Sequence, residues 1–238
     1  MTGAPQRAGR ETATAPGSTS ARLRAVHVGK IAPLGPDAVP SGFFKQPQPG
    51  AVEVSLTGLA GDAQADLRVH GGPDKAVYAY PVEGYAAWIA DFPQRARTLV
   101  DGGMGENLVT MGLSEDGVRM GDIQRIGTAL VQVTQPRQPC FKLGLFHREP
   151  KMVRRMTETG RCGWYLRVLE PGIVRAGDAI ELVETSDAAW TIRHFAAIVA
   201  MKSIDAELLS ELLAQPGLAE NWRLRGLRLL AELRGVGR

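Results

Sequence analysis

"ALVQVTQPRQPCFKLG", residues 129–144, carries two signals in sixteen residues. In its first half Ala129, Val131 and Val133 alternate with other residues, the period of a β-strand that buries one face. In its second half Pro136 and Pro139 stop the alternation and stiffen the backbone. Cys140 follows at once, with Arg137 three residues upstream. A strand therefore runs into a rigid loop that holds a cysteine beside a fixed positive charge.

Period two continues in both directions. From Leu23 to about Val183 the runs "LRAVHVG", "AVEVSLTG", "AVYAYP", "ENLVT", "DIQRIG", "WYLRVLEPG" and "DAIELVE" are rich in Val, Ile, Leu and Tyr. Gly, Pro, Asp and Asn separate them. Many short strands between turns predict a mainly β fold, a closed or nearly closed antiparallel barrel that leaves no exposed edge. Two helices interrupt it. "PVEGYAAWIADF" spaces Val82, Tyr85, Trp88 and Ile89 at helical intervals after Pro81, and "EPKMVRRMTETG" ends on Gly160. After Glu184 helix-forming residues take over. Ile204, Leu208, Leu209, Leu212 and Leu213 form one apolar face, Pro216-Gly217 stops that helix, and a last helix carries Leu218, Trp222, Leu229 and Leu233. The expected organisation is a disordered tail over 1–20, a barrel domain over 21–185 and a three-helix domain over 186–238. Covering the barrel and pairing with another copy would bury similar leucines.

The bulk properties narrow the function. The 238 residues are 44% hydrophobic and 22% charged, ordinary for a soluble globular chain. A net charge of +3 is too weak to argue for nucleic acid. Charged residues interrupt every apolar run, so no membrane span is expected. The N-terminal segment lacks the apolar core of a signal peptide. It is acid-poor like a transit peptide, but has no amphipathic helix. Two cysteines make no disulfide framework, which favours a reducing cytoplasm.

Three stretches can carry chemistry. In "RVHGGPDKAV" His70, Gly71 and Gly72 precede Lys75, a pattern that fits an anion-binding turn built on backbone N–H groups and a lysine. A hairpin turn with a solvated lysine accounts for the same residues. In "DGGMGENLVT" three glycines lead to Asn107, either a turn that sets its amide at a pocket rim or a plain start to a strand; no Walker lysine or helix follows. At Cys140 the nearby guanidinium favours thiolate, as a metal ligand or nucleophile requires. A buried structural cysteine is the alternative. No histidine has metal-ligand spacing, so a metal at Cys140 must bring its other ligands with it. Cys162 alternates with strand residues and reads as core; His147 and His194 read as satisfied helix or loop residues. "HREPKMVRR" reads as a solvated helix face or, less readily, a docking patch for an acidic partner. No G-x-S-x-G elbow is present, so a serine hydrolase does not fit.

Together "GLAGDAQADLRVHGGPDKAVYAYPVEGYAAW", "GGMGENLVTMGL", "VRMGDIQRIGTALVQVTQPRQPCFKL" and "GWYLRVLEPGIVRAGDAIELVE" resemble a MOSC domain over about Leu23 to Glu184, and the helical tail resembles the three-helix extension of the YiiM-type bacterial subgroup. The resemblance implies a MOSC-type β-barrel that binds a molybdenum–pyranopterin cofactor, with Cys140 as the protein's metal ligand. It implies that Arg137 and Lys75 face the pterin phosphate, and that Thr134, Asn107 and the His70-Gly71 turn supply hydrogen bonds. A further family-type lysine is Lys30 or Lys45. Pyridoxal phosphate is not expected. The implied activity is a molybdenum-dependent oxidoreductase that removes oxygen from N-hydroxylated compounds: hydroxylaminopurine-type bases, amidoximes and hydroxylamines. Without a Rossmann motif or a cysteine cluster, electrons would come from a separate flavin or iron–sulfur reductase. Two other functions are compatible with Cys140: a sulfur carrier holding a persulfide, and a non-catalytic small-anion-binding module.

Overall fold

The computed structural model describes residues 21–67, 71–187, 189–201 and 203–235; the expected tail over 1–20 and His70 lie outside them. The strand that opens the quoted stretch, β10 (Ala129–Pro136), sits inside an eight-stranded sheet. On one side it pairs with β9 (Ile123–Ile126), which in turn pairs with β13 (Ile180–Glu184). On the other lies β11 (Trp164–Glu170), followed by β7 (Val77–Pro81), β8 (Leu108–Met111), β1 (Arg22–Val28) and β4 (Gln46–Pro47). Val131 faces Val168 and Val133 faces Leu166, so the alternating apolar set of β10 lies in the core with that of β11. A register shift follows Val133, and the strand ends at Pro136, which has no N–H to continue a ladder.

Two expectations need correction. Among the described residues the strands do not close fully into a barrel. The second edge of β1 is divided: Arg22 forms a single bridge with Ala179, just before β13, while His27 and Val28 pair with β4. The bridge is tied by Leu23 N–H to Asp178 O (2.8 Å) and Ile180 N–H to Ala21 O (2.9 Å), so the sheet curls far enough for its ends to touch without a closing ladder. Nor is the sheet purely antiparallel. β7 and β8 run parallel, with Ala79 opposite Leu108, because the chain between them crosses over through α1 (Gly84–Asp91) and the glycine-rich loop. All five residues of β7 are buried, as a strand covered on both faces requires. Smaller pieces flank this sheet: β2 (Ala32–Leu34) with β3 (Val39–Ser41), and β5 (Val52–Ser55) between β6 (Gly58–Leu59) and β12 (Gly172–Val174).

Helix α2 (Phe141–His147) begins immediately after Cys140, a helix the sequence reading did not anticipate. It is followed by α3 (Lys151–Thr159), which ends as expected at Gly160 in a left-handed conformation, φ 62°. Toward the C-terminus come α4 (Ile192–Ala200), α5 (Ala206–Leu213) and α6 (Glu220–Leu233). Trp190, Phe195, Ile198, Leu209, Leu212, Leu213 and Leu218 form a second buried cluster, joined by Met120 from the sheet region. Leu233, expected on the apolar face of the last helix, is exposed. Among the described residues no helix is long and apolar enough to cross a membrane.

Candidate functional site

Where β10 stops, the chain Pro136–Cys140 crosses the end of the sheet and delivers Cys140 in extended conformation as the residue before α2 (φ −126°, ψ 164°). Cys140 is partly exposed and lines an open cleft of about 580 Å³, a volume that includes space open to solvent. Lys45, Lys75, Arg137 and Lys142 line the same cleft, together with Asp62, Asn107, Phe43, Tyr78 and Tyr165. Four cations against one carboxylate make the described lining strongly positive, suited to an anionic group.

Each cation is held differently. Arg137 is only 6% exposed. Its guanidinium donates to Met104 O and lies against the rings of Tyr78 (4.7 Å to the centroid) and Phe43 (5.4 Å). Burial opposes its charge, but Tyr78, Tyr165 and Cys140 outweigh that penalty and raise its pKa above the ordinary value. Lys45 forms an ion pair with Asp62, both side chains 5% exposed. The remaining capacity of Asp62 is taken by Gly29 N–H (2.8 Å) and the Asn107 side-chain amide (2.9 Å). Burial lowers the pKa of Lys45, with Asp62 acting in the opposite direction. Of the two lysines left open by the sequence, Lys45 therefore lies in the cleft; Lys30 is exposed and outside its lining. Lys75 ends a short 3-10 turn, Pro73–Lys75, with its ammonium 5.8 Å from the centre of the Tyr165 ring; burial lowers its pKa too. Lys142 reaches Pro40 O at 2.8 Å.

The other anticipated residues are placed around these. Asn107 lines the cleft, but its hydrogen bonds run inward: its amide donates to Asp62 and to His27 O (3.2 Å), and its oxygen accepts from Tyr78 N–H (3.2 Å). Thr134 is fully buried behind the wall, where its hydroxyl donates to Asp74 O at 2.7 Å and lies 3.2 Å from Tyr165 O. Gly71 is outside the lining; a Cβ there would press on the side-chain ends of Gln64 (2.5 Å) and Leu67 (2.7 Å), which would have to shift. Cys162 is buried, and burial pushes its thiol pKa up. His147 is buried with Nε2 2.8 Å from Gly103 O and Nδ1 2.8 Å from Thr98 Oγ1. Burial brings its pKa down to about 4, so it is a neutral brace.

Several site residues escaped the sequence reading. Glu106 is wholly buried and accepts from Gly102 N–H (2.8 Å), Met104 N–H (3.0 Å) and the Tyr85 hydroxyl. It folds the glycine-rich loop so that Met104 O meets Arg137. Asp62 follows Gly61 in an apolar-flanked turn, and that carboxylate was the available signal for a partner to a buried lysine.

A family model described as "MOSC domain" matches residues 66–181. The chain is 41% identical over 198 residues to "Protein YiiM" of Escherichia coli (strain K12), covering 83% of this chain and 87% of that protein. It is 36% identical over 201 residues to a "Reductase" of Gibberella moniliformis, of which it spans 36%. The crystal structure of YiiM from Escherichia coli superposes with a TM-score of 0.74 at 33% identity, covering 89% of this chain and 93% of that one. MOSC domains are linked to molybdenum-cofactor binding and to reductases associated with it. Likeness on this scale, in sequence and in the path of the backbone, means that the chain belongs to the MOSC domain family.

Proposed function

We propose that the cleft holds a molybdenum–pyranopterin cofactor and that the protein reduces N-hydroxylated compounds. The observation that carries this reading is that the thiol of Cys140 shares one cleft with Lys45, Lys75, Arg137 and Lys142. The donor set fits the group. Among the described residues no cluster of three or more His, Cys, Asp or Glu could hold a metal by itself. A single soft thiolate suits a metal that arrives with further sulfur ligands, and the cations suit a phosphate tail.

In this reading Cys140 binds the metal, while Arg137 and Lys75 hold the phosphate end. Lys45 adds charge whose direction Asp62 and Asn107 fix. Tyr78, Tyr165 and Phe43 wall the cleft against water. When bound, the cofactor supplies two-electron chemistry: the N–O bond of the substrate breaks, two electrons and two protons are taken up, and the oxygen leaves as water. Hydroxylaminopurine-type bases, amidoximes and hydroxylamines all offer that bond. The electrons come from a separate flavin or iron–sulfur reductase.

The test uses protein made in a host that synthesises the cofactor. Elemental analysis is expected to find about one molybdenum per chain, and benzamidoxime to be reduced with an artificial electron donor; Cys140→Ala is expected to lose both. A persulfide adduct on Cys140 without metal would instead establish the sulfur carrier. A fully metallated sample that reduces no N-hydroxylated compound would overturn the proposed reaction.

A further inference from the structure

The turn that carries Lys75 is fixed from four directions. Thr134 donates to Asp74 O at 2.7 Å, and the Gln64 amide donates to Lys75 O at 3.2 Å. The Asp74 carboxylate then divides between two elements. Its Oδ1 accepts from Arg167 of β11 (Nε 2.7 Å, Nη2 2.6 Å). Its Oδ2 accepts from the backbone N–H of Glu220 at 2.6 Å, across 146 residues of sequence. Glu220 is the first residue of α6, and the residue before it, Ala219, has no side-chain acceptor for the amides of that first turn. Asp74 therefore performs the capping that the local sequence omits, and one carboxylate ties the start of α6 to the residue beside a cleft lysine.

From this geometry we infer that Asp74 is a positioning residue and that α6 supports the cleft from outside: the C-terminal helix holds the Pro73–Lys75 turn where Lys75 can meet the phosphate group of a ligand. This rests on the phosphate-binding reading of the cleft given above. It assigns the helical extension a role in ligand binding at a distance, exerted through Asp74 without any extension residue in the cleft lining.

A single substitution cuts the link. Glu220→Pro removes the donor at a position where proline suits a helix start, and Ala219 already has the extended backbone that precedes proline (φ −61°, ψ 140°). Glu220→Ala removes the side chain, with its 3.9 Å pairing to Arg223, and keeps the N–H. Full-length variants are titrated with inorganic pyrophosphate by calorimetry, and amide exchange is followed over residues 71–78. Glu220→Pro is expected to weaken pyrophosphate by about tenfold, the worth of one charge-assisted hydrogen bond, and to speed exchange across 71–78. Glu220→Ala is expected to match the parent on both counts. On a Lys75→Ala background Glu220→Pro is expected to add no further loss, since the lysine it positions is gone.

Unchanged exchange over 71–78 in Glu220→Pro would overturn the inference, as would an equal further loss on the Lys75→Ala background. If the parent protein itself fails to bind pyrophosphate, the phosphate reading of the cleft falls, while the exchange measurement still decides whether α6 holds the turn.

Discussion

Cys140 and Cys162 sit at opposite extremes of what a thiol can experience in one chain. Cys140 stands partly exposed at a cleft where four cations converge. Cys162 is 2% exposed, its Sγ against Gly163 O at 3.3 Å, and burial with nearby Glu115 holds its thiol protonated. The residue type is the same and the surroundings differ, set by the loop 136–140 in one case and by strand packing in the other; thiol reactivity is expected to follow them.

The sharpest way to break that contrast is alkylation. Iodoacetamide is expected to label native protein at Cys140 about a hundredfold faster than at Cys162, with the two rates converging in denaturant. Mass mapping reads this directly, and fast native labelling of Cys162 would erase the distinction.

The next contrast lies between cations on the same cleft. Asp62→Ala leaves the Lys45 ammonium buried without its partner and is expected to cost about 3 kcal/mol in urea denaturation. Replacing both, as Lys45→Met with Asp62→Leu, is expected to restore most of that stability while removing a cleft charge. Stability and ligand binding then separate in one experiment.

A smaller effect concerns the neutral interior beneath the cleft. The pKa of His147 is lowered to about 4 from 6.5, so the unfolded chain binds more protons between those values. Its contribution to stability is complete above about pH 6.5 and is lost as pH falls toward about 4. His147→Gln is expected to flatten the pH dependence of the denaturation midpoint over that window; an unchanged slope would show that His147 does not titrate there. Smallest of all is Leu233→Lys on the exposed end of α6, expected to shift stability by less than about 0.5 kcal/mol.

How far could the sequence be read? Alternation located β10, β11 and β7, because each buries residues at period two or throughout, and a strand ending on Pro136 was visible from the proline alone. The Cys140 loop and the Gly71–Lys75 turn were legible for the same local reason. What escaped was decided between distant segments. Among the described residues no closing ladder forms, because the register of the Arg22–Ala179 bridge sets Ile180 beside Ala21 and β13 runs on past the start of β1; such a register leaves no periodic trace in the sequence. Helix α2 was missed since Gly144 and two phenylalanines are poor helix formers, and tertiary packing overrides them. The ion pair of Lys45 and Asp62 could not be matched from sequence, for seventeen positions separate its members and only the fold turns them inward. Thr134 looked like a ligand donor; its hydroxyl instead serves the wall.

Arg137 engages Met104 O and two aromatic faces through contacts that belong to the protein alone. Its side chain is thus fixed beside the cleft in advance, and in the proposed reading an incoming anion would meet a preorganised counter-charge instead of having to freeze a flexible side chain. Affinity gained in this way comes from entropy already surrendered during folding, which makes the fold itself the store of binding strength.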